Sequence, residues 1–267
     1  MKNIDSIDCA ADKDSYEQIV TGTRMPQKPI LVAKLQDVKI ALDQYQNKLA
    51  AGTVSPLGFT GRDLDVHYSL YDSTQRFVLD LKQELVNDYL EHTCPYCQLD
   101  QVSHIDHFLP RAVFPEFSVS LQNLLMSCDT CNSKYKGQYW GVRGQQKIFH
   151  PRFNNLQGEQ YLSAVAVYDR GAIRVRFAVL TRLPISGLVR RHFVKLNLGD
   201  RYIAKANASE VPSMRKLLAR EPTPARKLSR IERFVDDQID TNQVNSWKHA
   251  YYSAIKLIVR EIAAGGL

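Results

Sequence analysis

Two Cys-x-x-Cys pairs, Cys94-Pro-Tyr-Cys97 and Cys128-Asp-Thr-Cys131, constrain this chain more than anything else in it. A two-residue gap lets both sulfurs of a tight turn face one ion, and two such knuckles complete a tetrahedron of thiolates, the set zinc prefers in structural sites. Thirty residues separate the pairs, too few to hold a core alone, so metal binding would supply part of the folding energy. A redox role needs only one pair in a thioredoxin-like setting, which the sequence does not offer. Cys94, Cys97, Cys128 and Cys131 are therefore expected to ligate a structural Zn²⁺, with Cys9 a free thiol.

Between the knuckles run Ser103-His104-Ile105-Asp106-His107-Phe108-Leu109-Pro110 and Leu121-Gln122-Asn123-Leu124, and Cys131 leads into Asn132, Lys134 and Lys136. In this order the residues resemble the core of the HNH endonuclease family: Asp106-His107 with Pro110, then Asn123-Leu124, then Cys128-x-x-Cys131-Asn132. The resemblance implies an α+β fold, with a small ββα-metal core and its four-cysteine zinc embedded in a mostly helical body that carries a C-terminal β-hairpin. It also implies roles. His107 takes the proton of the attacking water, and Asp106 and Asn132 hold the catalytic metal. Asn123 braces the loop that positions the histidine.

The chemistry agrees with that assignment. Phosphodiester hydrolysis needs a base for water, a cation on the phosphate and help for the leaving oxygen. Histidine is a suitable base near neutral pH, and a carboxylate with an amide oxygen suits Mg²⁺ or Mn²⁺. If residues 104–107 form a strand, His104 shares a face with Asp106 and is either a further metal ligand or phosphate contact, or a polar rim residue. Arg111, Lys134 and Lys136 either meet phosphates or stand as solvated charges. Tyr135, Tyr139 and Trp140 either stack on bases or pack.

The net charge of +7 fits an anionic partner, and the charge is uneven. Residues 181–230 hold twelve Lys or Arg against three acidic residues, leaving the remainder net −2. Such a surplus can neutralise phosphates. No run of 18 apolar residues exists and the N-terminal residues are polar, so a cytoplasmic protein with no membrane association is expected.

Three regions are expected: a helical region over 1–88, the zinc-stapled core over 89–150, and a hairpin with basic helices over 151–267. Residues 1–27 read as a polar lead-in. Leu31, Leu35, Val38, Leu42 and Tyr45 mark a helix, and residues 50–61 break it with Gly and Pro. A second helix over 73–91 aligns Phe77, Leu81, Leu85 and Tyr89. Residues 161–167 and 173–179 alternate about Asp169-Arg170-Gly171 as a hairpin. Helical spacing resumes at Ile185, residues 221–227 read as a connector, and a final helix spans 243–263, with Trp247, Tyr251, Ile255, Ile258 and Ile262 as a stripe along one face. His150, in Phe149-His150-Pro151-Arg152, reads as structural.

This layout is similar to that of the nuclease subunit of Septu-type anti-phage systems, a likeness that implies an ATPase partner subunit and a role in antiviral defence. DNA is the expected substrate, with an RNA nuclease acting on tRNA as the alternative. A rival of another class is a zinc-stapled module that binds nucleic acid or protein and cuts nothing.

Overall fold

Apolar residues at helical spacing wind residues 28–51 into helix α2, Lys28–Ala51, which buries Leu31, Val38, Leu42 and Tyr45. Gly52 closes it in the left-handed region at φ 69°, where a residue without Cβ meets no steric penalty. This architecture comes from a computed structural model that describes residues 3–5, 7–24, 26–89, 92–142, 145–154, 160–180 and 185–267. The chain divides into two compact units, 2–155 and 156–267, and no division falls at 88/89.

In the first unit the expected lead-in is instead helix α1, Cys9–Gly22, packed on α2. Its core residues are Tyr16, Ile19 and Val20, joined by a fully buried Asp12. Asp8 caps it, its carboxylate accepting from the Ala10 N–H at 3.0 Å. The break over 50–61 is real, but Gly61 opens helix α3, Gly61–Ser69, continued by a 3₁₀ turn over Leu70–Asp72. Helix α4, Arg76–Tyr89, is shorter than the spacing predicts; residues 90 and 91 lie outside the described residues. It buries Val78, Leu81 and Leu85, whereas Phe77 is exposed and lies over Gly22 rather than joining the core.

Strand β1, His104–His107, pairs antiparallel with β2, Leu124–Ser127, with Asp106 opposite Leu125 and His107 opposite Leu124. A π-helical segment, Thr130–Lys136, follows β2. A short pair, β3 (Gly141–Val142) with β4 (Gln145–Gln146), completes the unit's strands among the described residues.

The second unit is built on a hairpin of β5, Leu162–Asp169, and β6, Ala172–Val179. Its two-residue turn has φ 47° at Arg170 and 83° at Gly171, the double positive-φ geometry that matches strand twist. Helices α5 (Ser186–Lys195), α6 (Leu198–Leu218), α7 (Pro224–Thr241), α8 (Trp247–Lys256) and α9 (Val259–Gly265) follow. The structure corrects two expectations in this region. Pro224 is not connector but the first residue of α7, where its missing N–H costs nothing, with Thr223 as cap. The single final helix breaks at Leu257–Ile258 into α8 and α9, although Trp247, Tyr251, Ile255 and Ile262 are all buried as the stripe predicts.

The chain is thus of mixed α and β structure, mostly helical, with small antiparallel strand pairs. Among the described residues no helix is long and apolar enough to cross a membrane.

Candidate functional site

The four paired cysteines converge. Their sulfurs all lie within 4.8 Å of one another, Cys97 and Cys128 at 3.8 Å, and all four residues are buried. A tetrahedron with zinc–sulfur bonds of about 2.3 Å has edges of about 3.8 Å, so the cluster can hold a metal ion such as zinc. The knuckles are built for thiolates. The first turns tightly through Gln98 at φ 57°, with Gln98 N–H on the Cys94 carbonyl at 2.7 Å and Leu99 N–H on Cys97 Sγ at 3.4 Å. In the second, Cys131 N–H reaches Cys128 Sγ at 3.4 Å. Such N–H donors stabilise sulfur-borne charge. Neighbouring sulfurs, Cys128 foremost, hold the Cys97 thiol well below its ordinary range, while burial pushes Cys94 up. A soft divalent cation allows all four to ionise.

The knuckles hold β1, β2 and the π-helical segment around a cleft of about 230 Å³, lined by Asp106, His107, Arg111 and Asn132 with Tyr68 and Pro110. His107 Nε2 lies 2.9 Å from the Ser118 carbonyl, so this nitrogen carries the proton and Nδ1 keeps its lone pair. Tyr71 meets the imidazole edge-on at 4.6 Å. Burial brings the imidazole down to about 4, so it is neutral at physiological pH.

Asn123 is completely buried. Its Oδ1 accepts from Leu109 N–H at 2.7 Å and Tyr45 OH at 2.9 Å, and its Nδ2 donates to the Leu109 and Phe117 carbonyls at 3.0 and 3.1 Å. One side chain therefore pins both ends of the loop that carries Ser118, the partner of His107. Asn132 faces the cleft from the π-helical segment, and its side-chain amide makes no hydrogen bond among the described residues.

Over 179 residues the chain is 32% identical to protein ea31 of Escherichia phage lambda, covering 61% of this chain and 60% of that protein. The chain thus spans 60% of the length of the curated relative it matches. No family model and no solved structure matches.

Other expected site residues are placed differently. Lys136 is no phosphate contact: it is buried, and its ammonium donates to Asp106 Oδ1 and the His107 carbonyl, each at 2.9 Å. Asp106 Oδ2 accepts from Tyr96 OH at 2.7 Å. His104 is exposed outside the cleft lining, bonded to Ser103 Oγ at 2.8 Å and 4.0 Å from Asp129. Lys134 is exposed and also stands outside the lining. Arg111 does line the cleft, stacked 4.4 Å from the Tyr68 ring and held by Asp72 at 2.7 Å. Trp140 packs edge-on against Phe114. His150 is buried among Phe108, Phe153 and Tyr45, and burial holds it well below the usual histidine range.

Two supports of this cleft are not legible in the sequence: Tyr96, which holds Asp106, and Asp12. Tyr96 lies inside the first knuckle, where nothing distinguishes it from a spacer. Asp12 reaches from α1 to Ser120 Oγ at 2.7 Å and Leu121 N–H at 2.6 Å, fixing the turn just before Asn123. The one available signal was an acid in helical register with Tyr16 and Ile19.

Proposed function

We propose that this chain is a metal-dependent nuclease of the HNH type that hydrolyses phosphodiester bonds, with DNA as substrate. The observation that carries the reading is His107: a neutral imidazole with Nε2 committed to the Ser118 carbonyl and Nδ1 left as a base, in one cleft with Asp106 and Asn132. An imidazole fixed in one tautomer accepts a proton from water at neutral pH without losing its orientation.

The donor set suits a hard divalent cation. Each oxygen of Asp106 retains a lone pair after its bond from Lys136 or Tyr96, and the Asn132 amide is uncommitted. Bound there, Mg²⁺ or Mn²⁺ would supply charge stabilisation for the phosphate and the departing 3′ oxygen, leaving 5′-phosphate and 3′-hydroxyl ends. Arg111, stiffened by Tyr68 and Asp72, orients a phosphate at the rim. The four cysteines hold zinc and fix the geometry of the cleft. The likeness in layout to defence nucleases extends the proposal to an ATPase partner, which co-purification would reveal.

A second reading, a module that binds without cutting, draws on the Lys136–Asp106 pair, because an ammonium already neutralises the carboxylate a metal would use. Incubating the purified protein with supercoiled plasmid and with total RNA, with Mg²⁺ or without added divalent metal, separates the two. Metal-dependent cutting supports the nuclease and names the polymer. A folded, zinc-loaded protein that binds both polymers and cuts neither supports the module.

A further inference from the structure

The β5–β6 hairpin has two unlike faces. Leu162, Ile173, Phe177 and Val179 point inward and are buried, Phe177 edge-on to Tyr202 of α6 at 5.3 Å. Strand alternation puts Val165 and Val167 on the other face, where they are 62% and 54% exposed. The register sets Arg176 across from Val165 and Arg174 across from Val167, and Arg170 stands at the turn, its side chain 96% exposed. The carboxylate of Asp169 lies 3.2 Å from Arg174. An open two-stranded ribbon thus presents three guanidiniums, one carboxylate and a pair of bare valines.

We propose that this outward face reads duplex DNA by entering the major groove. The groove of B-form DNA is about 12 Å wide and admits a two-stranded antiparallel ribbon, whose strands lie about 4.8 Å apart. Residues two apart on a strand are separated by about 6.8 Å, and two base steps of about 3.4 Å span the same length. Arg174 and Arg176 therefore match guanine edges or phosphates two steps apart, while Val165 and Val167 fit the methyl groups of thymine. The deep, narrow major groove of A-form RNA excludes such a ribbon, so the ligand class is B-form DNA. The inference rests on the nuclease reading for its choice of nucleic acid among anionic partners; the ribbon's geometry is independent of the cleft.

The test is fluorescence anisotropy on the full chain carrying His107→Ala, so that nothing is cut. The probes are a mixed-sequence DNA duplex of about 20 base pairs and the RNA duplex of the same sequence, a length that spans about two helical turns. DNA is expected to bind at least about tenfold more tightly than RNA. Arg174→Ala with Arg176→Ala should weaken DNA binding at least about tenfold and lower the slope of log affinity against log salt by about 2. RNA binding should barely change. Val165→Thr with Val167→Thr, which keeps strand propensity, should weaken DNA binding with the same melting temperature. DNA affinity within about twofold of the parent in the arginine variant overturns the inference, as does equal binding of both duplexes. A hairpin-to-hairpin dimer in sedimentation, dispersed by Val165→Lys, also overturns it. Plasmid cutting by the native chain separates the two claims. Cutting with ribbon-independent binding sinks this inference alone, and ribbon-dependent DNA binding without cutting sinks the nuclease reading alone.

Discussion

Lys136 and Asp106 form an interior ion pair, ammonium to carboxylate at 2.9 Å, with 0% and 4% of the side chains exposed. It ties the π-helical segment to strand β1, whose Asp106 and His107 line the candidate cleft. Removing one partner strands the other charge in a medium that solvates it poorly. Lys136→Met is expected to destabilise the protein by about 3–5 kcal/mol. Adding Asp106→Asn should recover much of that loss. Urea unfolding of the two single variants and the double variant measures the coupling, and strictly additive losses would contradict it.

The pair also marks where sequence reasoning stops. The knuckles were legible because two-residue spacing is a local constraint, and the hairpin because alternation and Arg170-Gly171 are local too. The convergence of Asp106, His107 and Asn132 followed from the order of the motif. The burial of Lys136 did not, since a lysine beside an exposed Lys134 carries no sign of its partner thirty residues earlier. Helix α1 was hidden for a related reason. Its core face includes Asp12, an acid whose burial is compensated by the turn at 120–122, more than a hundred residues away. α3 was hidden by the Gly- and Pro-bearing stretch that leads into it, and the break before α9 by a stripe that continues through it.

Asn123 joins four hydrogen bonds on one buried amide. Asn123→Ala leaves two carbonyls, an N–H and a hydroxyl without it, at an expected cost of about 2–4 kcal/mol. Asn123→Asp keeps the acceptor bonds but loses both donors, so it should not rescue. Because the loop carries the Ser118 carbonyl, cutting at a temperature where the variant stays folded should fall as well. Denaturant unfolding and a cleavage assay on the same preparation check both outcomes.

Glu116, two residues before Ser118 in the same loop, supplies a pH signature of its own. It is buried, with Oε1 accepting from Leu57 N–H at 2.9 Å and no partner on Oε2 among the described residues, and burial raises its carboxyl from 4.5 to about 7. Between these values the unfolded chain releases its proton as pH rises and the folded chain holds it. Stability from this group is therefore full below 4.5 and lost as pH climbs through about 7. Glu116→Gln should stabilise by as much as about 3 kcal/mol at pH 8. The gain should vanish by pH 4.5, the group's ordinary value. Unfolding curves of both proteins across that range decide it; a constant difference would count against a titrating Glu116.

The thiol cluster predicts one zinc per chain by elemental analysis. Cys131→Ser should abolish stoichiometric zinc, and a strong chelator should lower the melting temperature of the native chain but not of the variant. Full stability without zinc would show that the knuckles hold themselves.

Cleavage by the proposed nuclease turns on one nitrogen, His107 Nδ1. The decisive measurement is the single-turnover rate of plasmid cleavage by the native chain and by His107→Ala, at equal Mg²⁺ and with equal zinc content. Loss of a positioned general base predicts a rate lower by about 10²–10⁴ with folding unchanged. Equal rates in the two proteins would contradict the account.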